Sequence, residues 1–406
     1  MKNNTSFSQY MTIKKILIYD YFIRFLVMIW IVSIPFKDSM YQISTILIII
    51  FLLFDIAINK HFLKFRETIY SCKNIILVFG LIFFCMFLSN IINHGSETSL
   101  WRTLLLNFYR YFLIFLALLY FYNRDFFSKK LILYFIFLSL GIQAFDGVYQ
   151  SFYGYDIFKN IEGNLKIGLT GSTFNRNIFG MLTGFGVLVS FLSLKKYNAF
   201  YSNIFIIIFL FLFMFSVLFS YSRAVWVSLF VSLVVYFCFN YKNIKKIHFL
   251  YIFIVTSVLF FMFLGIDSLE KRFVDLISID SSNRDIIWMN SINFFTQKPL
   301  FGWGLGAYKL SVAQNGYSFH NSTLEVLVSM GILGFLAYLS LILVILKEVI
   351  KNKQIPLLCL FVYILIDCQF DQSILHGKVF LSSIVVLLFF IFSERIDRYK
   401  YKDLQQ

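Results

Sequence analysis

The sequence predicts an all-α, polytopic membrane bundle of about twelve transmembrane helices, and three observations carry that prediction. Of the 406 residues, 59% are hydrophobic and only 14% are charged, against about 25% charge in a soluble domain. The mean hydropathy is +0.77. The apolar residues stand in continuous runs, without the period-two alternation of an outer-membrane barrel. Finally, the basic residues collect in every second loop, as they do when lysine and arginine hold cytoplasmic loops in place.

The runs lie near 18–36, 41–58, 74–93, 101–122, 130–152, 176–194, 202–220, 223–241, 247–266, 321–346, 355–375 and 377–393. Lys14, Lys15, Lys60, Lys64, Arg66, Lys73, Arg124, Lys129, Lys130, Lys195, Lys196, Lys242, Lys245, Lys246, Lys347, Lys351, Lys353 and the basic C-terminal segment share one side. The short loops opposite hold only Lys37, Arg102 and Lys378, with Arg223 at a span end. The first side is therefore read as cytoplasmic, with both termini on it.

Residues 1–406 read as a single integral membrane domain, and two non-cytoplasmic loops are long: 153–175 and, between spans nine and ten, 267–320. A connection needs far fewer residues than the second loop has. The net charge of +15 would suggest nucleic acid in a soluble domain; here it follows from the loops, and no nucleic-acid partner is expected. The five cysteines have neither metal-ligand nor disulfide spacing. Asp20 and Arg24 interrupt the first apolar run, which no cleavage site follows, so it reads as a span rather than a leader.

Several residues break the pattern on the non-cytoplasmic side. Arg223, in Tyr221-Ser222-Arg223, opposes the orientation signal. A snorkelling arginine and an anion site at the mouth of the bundle both fit it. Arg284 follows Ser281-Ser282-Asn283 and precedes Asp285, a pattern that opens a helix. Trp288, Ile292 and Phe295 then recur at helical spacing, as in a helix lying on a membrane surface, and Pro299 ends it. A surface arginine at a helix start is the alternative reading of Arg284.

Gly302-Trp303-Gly304-Leu305-Gly306-Ala307-Tyr308 follows. No strand precedes it, so a nucleotide loop is disfavoured, and its glycines read as tight turns or a close backbone approach. His320-Asn321 opens the tenth span, where the positive end of the helix dipole favours a neutral imidazole. Such an imidazole can accept a proton from a sugar hydroxyl; a capping histidine is the alternative. Glu325 lies one turn deeper and is placed to orient it. Arg24, Asp55, Arg110, Asp146, Asp367 and Asp371 are charges within spans, expected to be paired or to line a cavity.

The ordered set Arg284-x-x-x-Trp288, Pro299-x-x-Gly302-x-Gly304-x-Gly306-x-Tyr308 and His320-Asn321 resembles the O-antigen ligase and polymerase superfamily. Upstream, Gly171-x-x-Phe174-Asn175-Arg176-Asn177 resembles that family's Gly-x-Phe-x-x-Pro-Asn segment, with Arg176 where proline is common. Ser222-Arg223 resembles its Ser-Arg at a span start. The resemblance implies a GT-C-like glycosyltransferase of the bacterial inner membrane, inverting and metal-independent, without a cofactor, with its active site facing the periplasm. The donor it implies is an undecaprenyl diphosphate-linked O-polysaccharide, and the acceptor the lipid A-core of lipopolysaccharide. By position, Arg223 and Arg284 would hold the donor diphosphate and His320 would serve the acceptor hydroxyl. Asn177, Tyr308 and Asn321 are candidate substrate-binding residues. A ligase is expected ahead of a polymerase joining lipid-linked repeats, and ahead of a lipid-linked glycan flippase.

Overall fold

The computed structural model describes residues 3–36, 38–58, 61–93, 98–193, 200–241, 267–278, 284–305, 307, 319–370, 375 and 377–403. The expected ninth span, 247–266, lies outside the described residues, as do Lys37, Ser281–Asn283, Gly306, Tyr308 and Asp371.

The described chain is helical: α1 (Asn3–Ser33), α2 (Asp38–Ala57), α3 (Phe62–Ser71), α4 (Lys73–Ile92), α5 (Thr98–Asn107), a π-helical turn (Phe108–Leu113), α6 (Ile114–Asn123), α7 (Lys129–Tyr153), α8 (Arg176–Ser193), α9 (Phe200–Phe219), α10 (Arg223–Asn240), α11 (Asp267–Ile277), α12 (Arg284–Gln297), α13 (Ser322–Lys351), α14 (Ile355–Asp367) and α15 (Lys378–Asp403). Among the described residues, eight helices are long and apolar enough to cross a membrane, and two shorter apolar helices, Ile204–Phe219 and Ile355–Asp367, accompany them. The fold is thus a polytopic helical bundle, as the apolar runs predict.

Local chemistry sets the helix ends. Ser128 caps α7 by accepting from the Leu131 amide at 3.2 Å, and left-handed Gly154 stops it. A proline in the first turn of α14 has no amide to leave unsatisfied. The helices pair as α1 with α2, α4 with α13, α8 with α9, α10 with α14, and α15 with α6. Short α3 turns Phe62, Leu63 and Tyr70 outward, between basic loops.

The basic end of the bundle is stitched by ion pairs. Buried Asp55 takes Arg124 and, at 2.6 Å, the Tyr120 hydroxyl. Buried Glu348 takes Arg395, Lys129 bridges Glu394 and Asp397 at 2.6 Å, and Lys400 meets Asp125 at 2.6 Å. Arg24 donates to the Phe126 carbonyl. Two of these basic residues do more than mark orientation: Arg124 and Arg395 neutralise acids that the bundle buries.

Two expected spans differ from the sequence reading. The eleventh, 355–375, ends as a helix at Asp367, thirteen residues long, which at 1.5 Å per residue reaches about 20 Å of a ~30 Å hydrocarbon core. Its end is taken up by the start of α13: Ser322 N donates to the Cys368 carbonyl at 3.0 Å and Asn321 Nδ2 to the Gln369 carbonyl at 3.2 Å.

The tenth span, 321–346, is broken at Gly331 (φ 65°, ψ −164°). The break exposes backbone groups that lipid cannot satisfy, and the segment 299–304 satisfies them. Trp303 N and Gly304 N donate to the Val328 and Ser329 carbonyls at 2.8 and 2.9 Å. Ile332 N donates to the Pro299 carbonyl at 2.8 Å and Leu333 N to the Leu300 carbonyl at 3.5 Å. Helix α4 backs the join: Ser89 Oγ donates to the Ser329 carbonyl, Asn93 Nδ2 to the Gly302 carbonyl, and Leu305 N to Asn90 Oδ1. Gly302 therefore serves a close backbone approach, its Cβ position lying 2.5 Å from the Ser329 carbonyl carbon, and Gly304 a left-handed turn at φ 92°.

Candidate functional site: helix starts at the non-basic end

Arg176, Arg223 and Arg284 are each the first residue of a helix. A cation there opposes the helix dipole, which favours acids at that end. Each is a doubly electropositive point, suited to a bound anion.

Backbone strain occurs before Arg176, before Arg223 and before α13, as it does also at Asp125, Asn160 and Lys353 elsewhere among the described residues. Phe174, Tyr221 and His320 are non-glycine residues in the left-handed region, with φ of 64°, 55° and 47°. Each stands one or two residues before a helix start. Such a conformation costs about 1–2 kcal/mol and persists only where the surroundings impose it.

At the α9–α10 junction, Tyr221 hydrogen-bonds Ser268 Oγ at 2.7 Å and donates to the Leu165 carbonyl. Burial raises the Tyr221 phenol above its ordinary value, against the opposing effect of the Ser268 hydroxyl, so it stays a donor. Half-buried Arg223 donates through Nη1 to the Asp275 carbonyl at 2.7 Å, tying α10 to α11. Leu165, Leu169, Phe179, Phe219, Tyr221 and Leu269 pack together beneath it.

Helix α8 starts alongside. A Cβ at Gly180 would lie 2.7 Å from Ser220 Oγ and 3.2 Å from the Ser222 side chain. A Cβ at Gly168 would lie 3.2 Å from the Tyr221 ring and 3.6 Å from Arg176 Cδ. Arg176 thus reaches the same junction as Arg223. The sequence marked Arg176 only as a departure from a motif, and the contact that gives it meaning is tertiary. Asn175 Oδ1 caps α8 by accepting from Asn177 N at 2.7 Å, which leaves Asn177 half-buried in the first turn.

The loop before α8 hangs from one stripe of α7. Gln150 Oε1 accepts from Thr170 N and Gly171 N at 2.9 and 3.0 Å, and its Nε2 donates to the Ile161 carbonyl at 2.9 Å. Gln143 holds Ser172 at 2.7 Å, and Asp146 accepts from Ile157 N at 2.8 Å. The intramembrane Asp146 is thereby a loop anchor. Gln150→Leu strands two amides at about 1–3 kcal/mol each. Its expected result is faster proteolytic cleavage within 154–175 and a lower melting temperature; wild-type cleavage rates would show the stripe to be dispensable.

His320 is half-buried and follows buried Phe319. Asn321 caps α13, its Oδ1 accepting from Leu324 N at 2.9 Å. Glu325 is buried in the first turn, and its amide donates to the Asn321 carbonyl. The end of α14 brings this junction level with the others. Tyr363, one turn before Asp367, donates to the Met181 carbonyl at 2.8 Å. Its hydroxyl and Val225 both crowd Gly184. Arg176, Arg223 and His320 therefore share one end of the bundle, opposite the stitched basic end.

Arg284 opens α12, which packs along α13. Phe294, Phe295 and Trp303 close over a small cluster of Ala307, Phe319 and Val328. Trp303 Nε1 donates to the Phe294 carbonyl at 2.8 Å. Arg284 stands ten residues before that contact, roughly 15 Å of helical rise away. The expected apolar face is shifted: Ile286, Met289 and Ile292 point outward, whereas Trp288 and Phe295 are half-buried.

No curated protein matches the chain. The family model described as O-antigen ligase matches residues 206–339. That stretch, which carries Arg223, Arg284 and the His320-Asn321 pair, is similar to the O-antigen ligase superfamily and supports the resemblance read from the motifs.

Proposed function

We propose that this protein is an O-antigen ligase, a glycosyltransferase that moves O-polysaccharide from undecaprenyl diphosphate to the lipid A-core at the periplasmic face of the inner membrane. The observation that carries the reading is the gathering of arginine-headed helix starts and a strained histidine at one end of the bundle, over motifs within the matched family segment. In this reading the chain has twelve spans in a GT-C-like arrangement, and 267–320 is the periplasmic loop.

The chemistry follows from the residue types. The acceptor hydroxyl attacks the anomeric carbon as the bond from that carbon to the diphosphate oxygen breaks. The hydroxyl proton passes to the His320 imidazole, and the electron pair leaves on the diphosphate. Arg223 and Arg284, to which we add Arg176, are assigned to meet that growing charge with charge-assisted hydrogen bonds. This is the role a metal fills elsewhere. Attack opposite the leaving group inverts the anomeric centre. Asn177, Tyr308 and Asn321 flank these groups in sequence and are assigned to the substrate surround, Asn321 by fixing the backbone beneath His320. The apolar cavity between α4, α13 and α15 measures about 60 Å³, well below the ~300–1,000 Å³ of ligand pockets. That cavity is too small to take the polyprenyl tail.

A flippase is the reading from another class. The broken helix α13 is its supporting feature, although 299–304 seals that break with backbone hydrogen bonds. Purified protein supplied with lipid-linked polysaccharide and lipid A-core is expected to make a glycosylated core. Joining of lipid-linked repeats without modification of the core would identify a polymerase. Movement across a vesicle without transfer would identify a flippase.

A further inference from the structure

Arg110 takes no part in the site above. It lies in the π-helical turn, a distortion often found at functional positions, and it is 9% exposed. Among the described residues, its Nε has no hydrogen-bond partner. Asp38, at the start of α2, is already held by Lys378 at 2.8 Å. Buried Tyr41 joins the groups: its hydroxyl reaches the Arg110 carbonyl at 3.5 Å and Ser382 Oγ at 2.9 Å, and Lys378 Nζ lies 5.5 Å from its ring centroid. The Arg110 guanidinium itself stands 5.8 Å from the centroid of the Tyr109 ring.

Lys378 pairs with Asp38, and Arg110 and Lys159 also act on that carboxylate electrostatically, so several cations share it beside a buried tyrosine. The cluster opens past Asp38, whose side chain is 62% exposed against 15% for Lys378. Because α14 ends at Asp367 and α15 begins at Lys378, it sits at the same end of the bundle as His320. Below Asp38, α2 turns Met40, Ile43, Ile46, Ile50 and Leu53 outward at helical spacing. A surplus cation above an exposed apolar stripe matches a charged head above an acyl chain.

We propose that Arg110 and Lys378 form an oxyanion site that takes the phosphate of a membrane lipid, with the lipid's chain along the outer stripe of α2. A buried cation that must share its carboxylate with another is expensive in a membrane, and a phosphate would supply the missing charge. The phosphate can belong to the acceptor glycolipid, which rests on the function proposed above, or to a bulk phospholipid, which does not.

The test uses the full chain purified in a neutral detergent, with bound lipid counted by native mass spectrometry. Phosphatidylglycerol is compared with diacylglycerol, and lipid A-core with its dephosphorylated form. The phosphate-bearing lipids are expected to bind at least tenfold more tightly, with that advantage lost in Arg110→Gln and in Lys378→Gln. Asp38→Asn, by releasing Lys378, is expected to tighten phosphatidylglycerol binding several-fold; a merely structural ion pair would not do this. Equal binding of phosphatidylglycerol and diacylglycerol, or an undiminished advantage in well-folded Lys378→Gln, would overturn the proposal. Should Arg110→Gln not fold, Lys378→Gln and Arg110→Lys carry the test. A tenfold preference for lipid A-core over phosphatidylglycerol would assign the site to the acceptor, and parity would assign it to phospholipid. The phosphatidylglycerol arm requires no glycan transfer, so it stands or falls separately from the catalytic reading.

Discussion

Replacing His320 with alanine is expected to lower glycan transfer by about 10²–10⁴-fold, the usual contribution of a positioned acid or base, with the protein still eluting as a single species. The substitution also relieves no packing, because His320 is only half-buried and the cap on α13 belongs to Asn321. Arg223→Ala and Arg284→Ala are each expected to cost about 10²–10³-fold, as for removal of one donor that meets transition-state charge. Lysine at either position should restore only part of the rate, since an ammonium cannot reproduce the planar fork of a guanidinium. Arg176→Ala should show the same sign. The measurement is transfer to lipid A-core by purified variants under saturating donor, with a gel of cellular lipopolysaccharide as a second readout. Full transfer by His320→Ala would remove the proton acceptor from this scheme. Full transfer by both arginine variants would remove the clamp.

Much of this was legible in the sequence, and the illegible parts share a cause. Hydropathy located the helices because a bilayer demands apolar length, and loop charge separated the two ends. Arg223 stood out because a cation at that span end opposes the orientation signal, and Arg284 because it opens a helix within the long loop. The break in α13 did not. A glycine such as Gly331, with Gly334 beside it in an apolar run, is ordinary in membrane helices, and the segment that completes it lies some thirty residues earlier. The short α14 reads as a full span because apolar composition continues past Asp367, where the backbone turns to receive Asn321 and Ser322. Arg110 was visible as a charge within a span. That it sits in a π-helical turn beside Lys378 depends on packing that no spacing rule encodes.

Gly331→Ala is expected to abolish recovery of monodisperse protein or to lower its melting temperature further than Gln150→Leu does. At φ 65° and ψ −164° the residue occupies a region open essentially to glycine, where a side chain costs about 1–3 kcal/mol. The steric term is larger. A Cβ there would lie 2.3 Å from the Leu300 carbonyl oxygen and 2.4 Å from its carbon, and both are backbone atoms that no rotamer change can move. Relief requires 299–304 to separate from α13, breaking the backbone hydrogen bonds of Trp303, Gly304, Ile332 and Leu333. Each stranded group then costs about 1–3 kcal/mol, so the sum approaches the ~5–15 kcal/mol that holds a typical protein folded. Gly302→Ala should act the same way, because its Cβ would meet the Ser329 carbonyl carbon at 2.5 Å. Gly80→Ala is the control: nothing lies within 4 Å of its Cβ position, and in mid-helix alanine should stabilise by roughly 0.5–1 kcal/mol. A Gly331→Ala protein that melts with wild type and Gly80→Ala would mean that the broken helix is not held by this backbone contact.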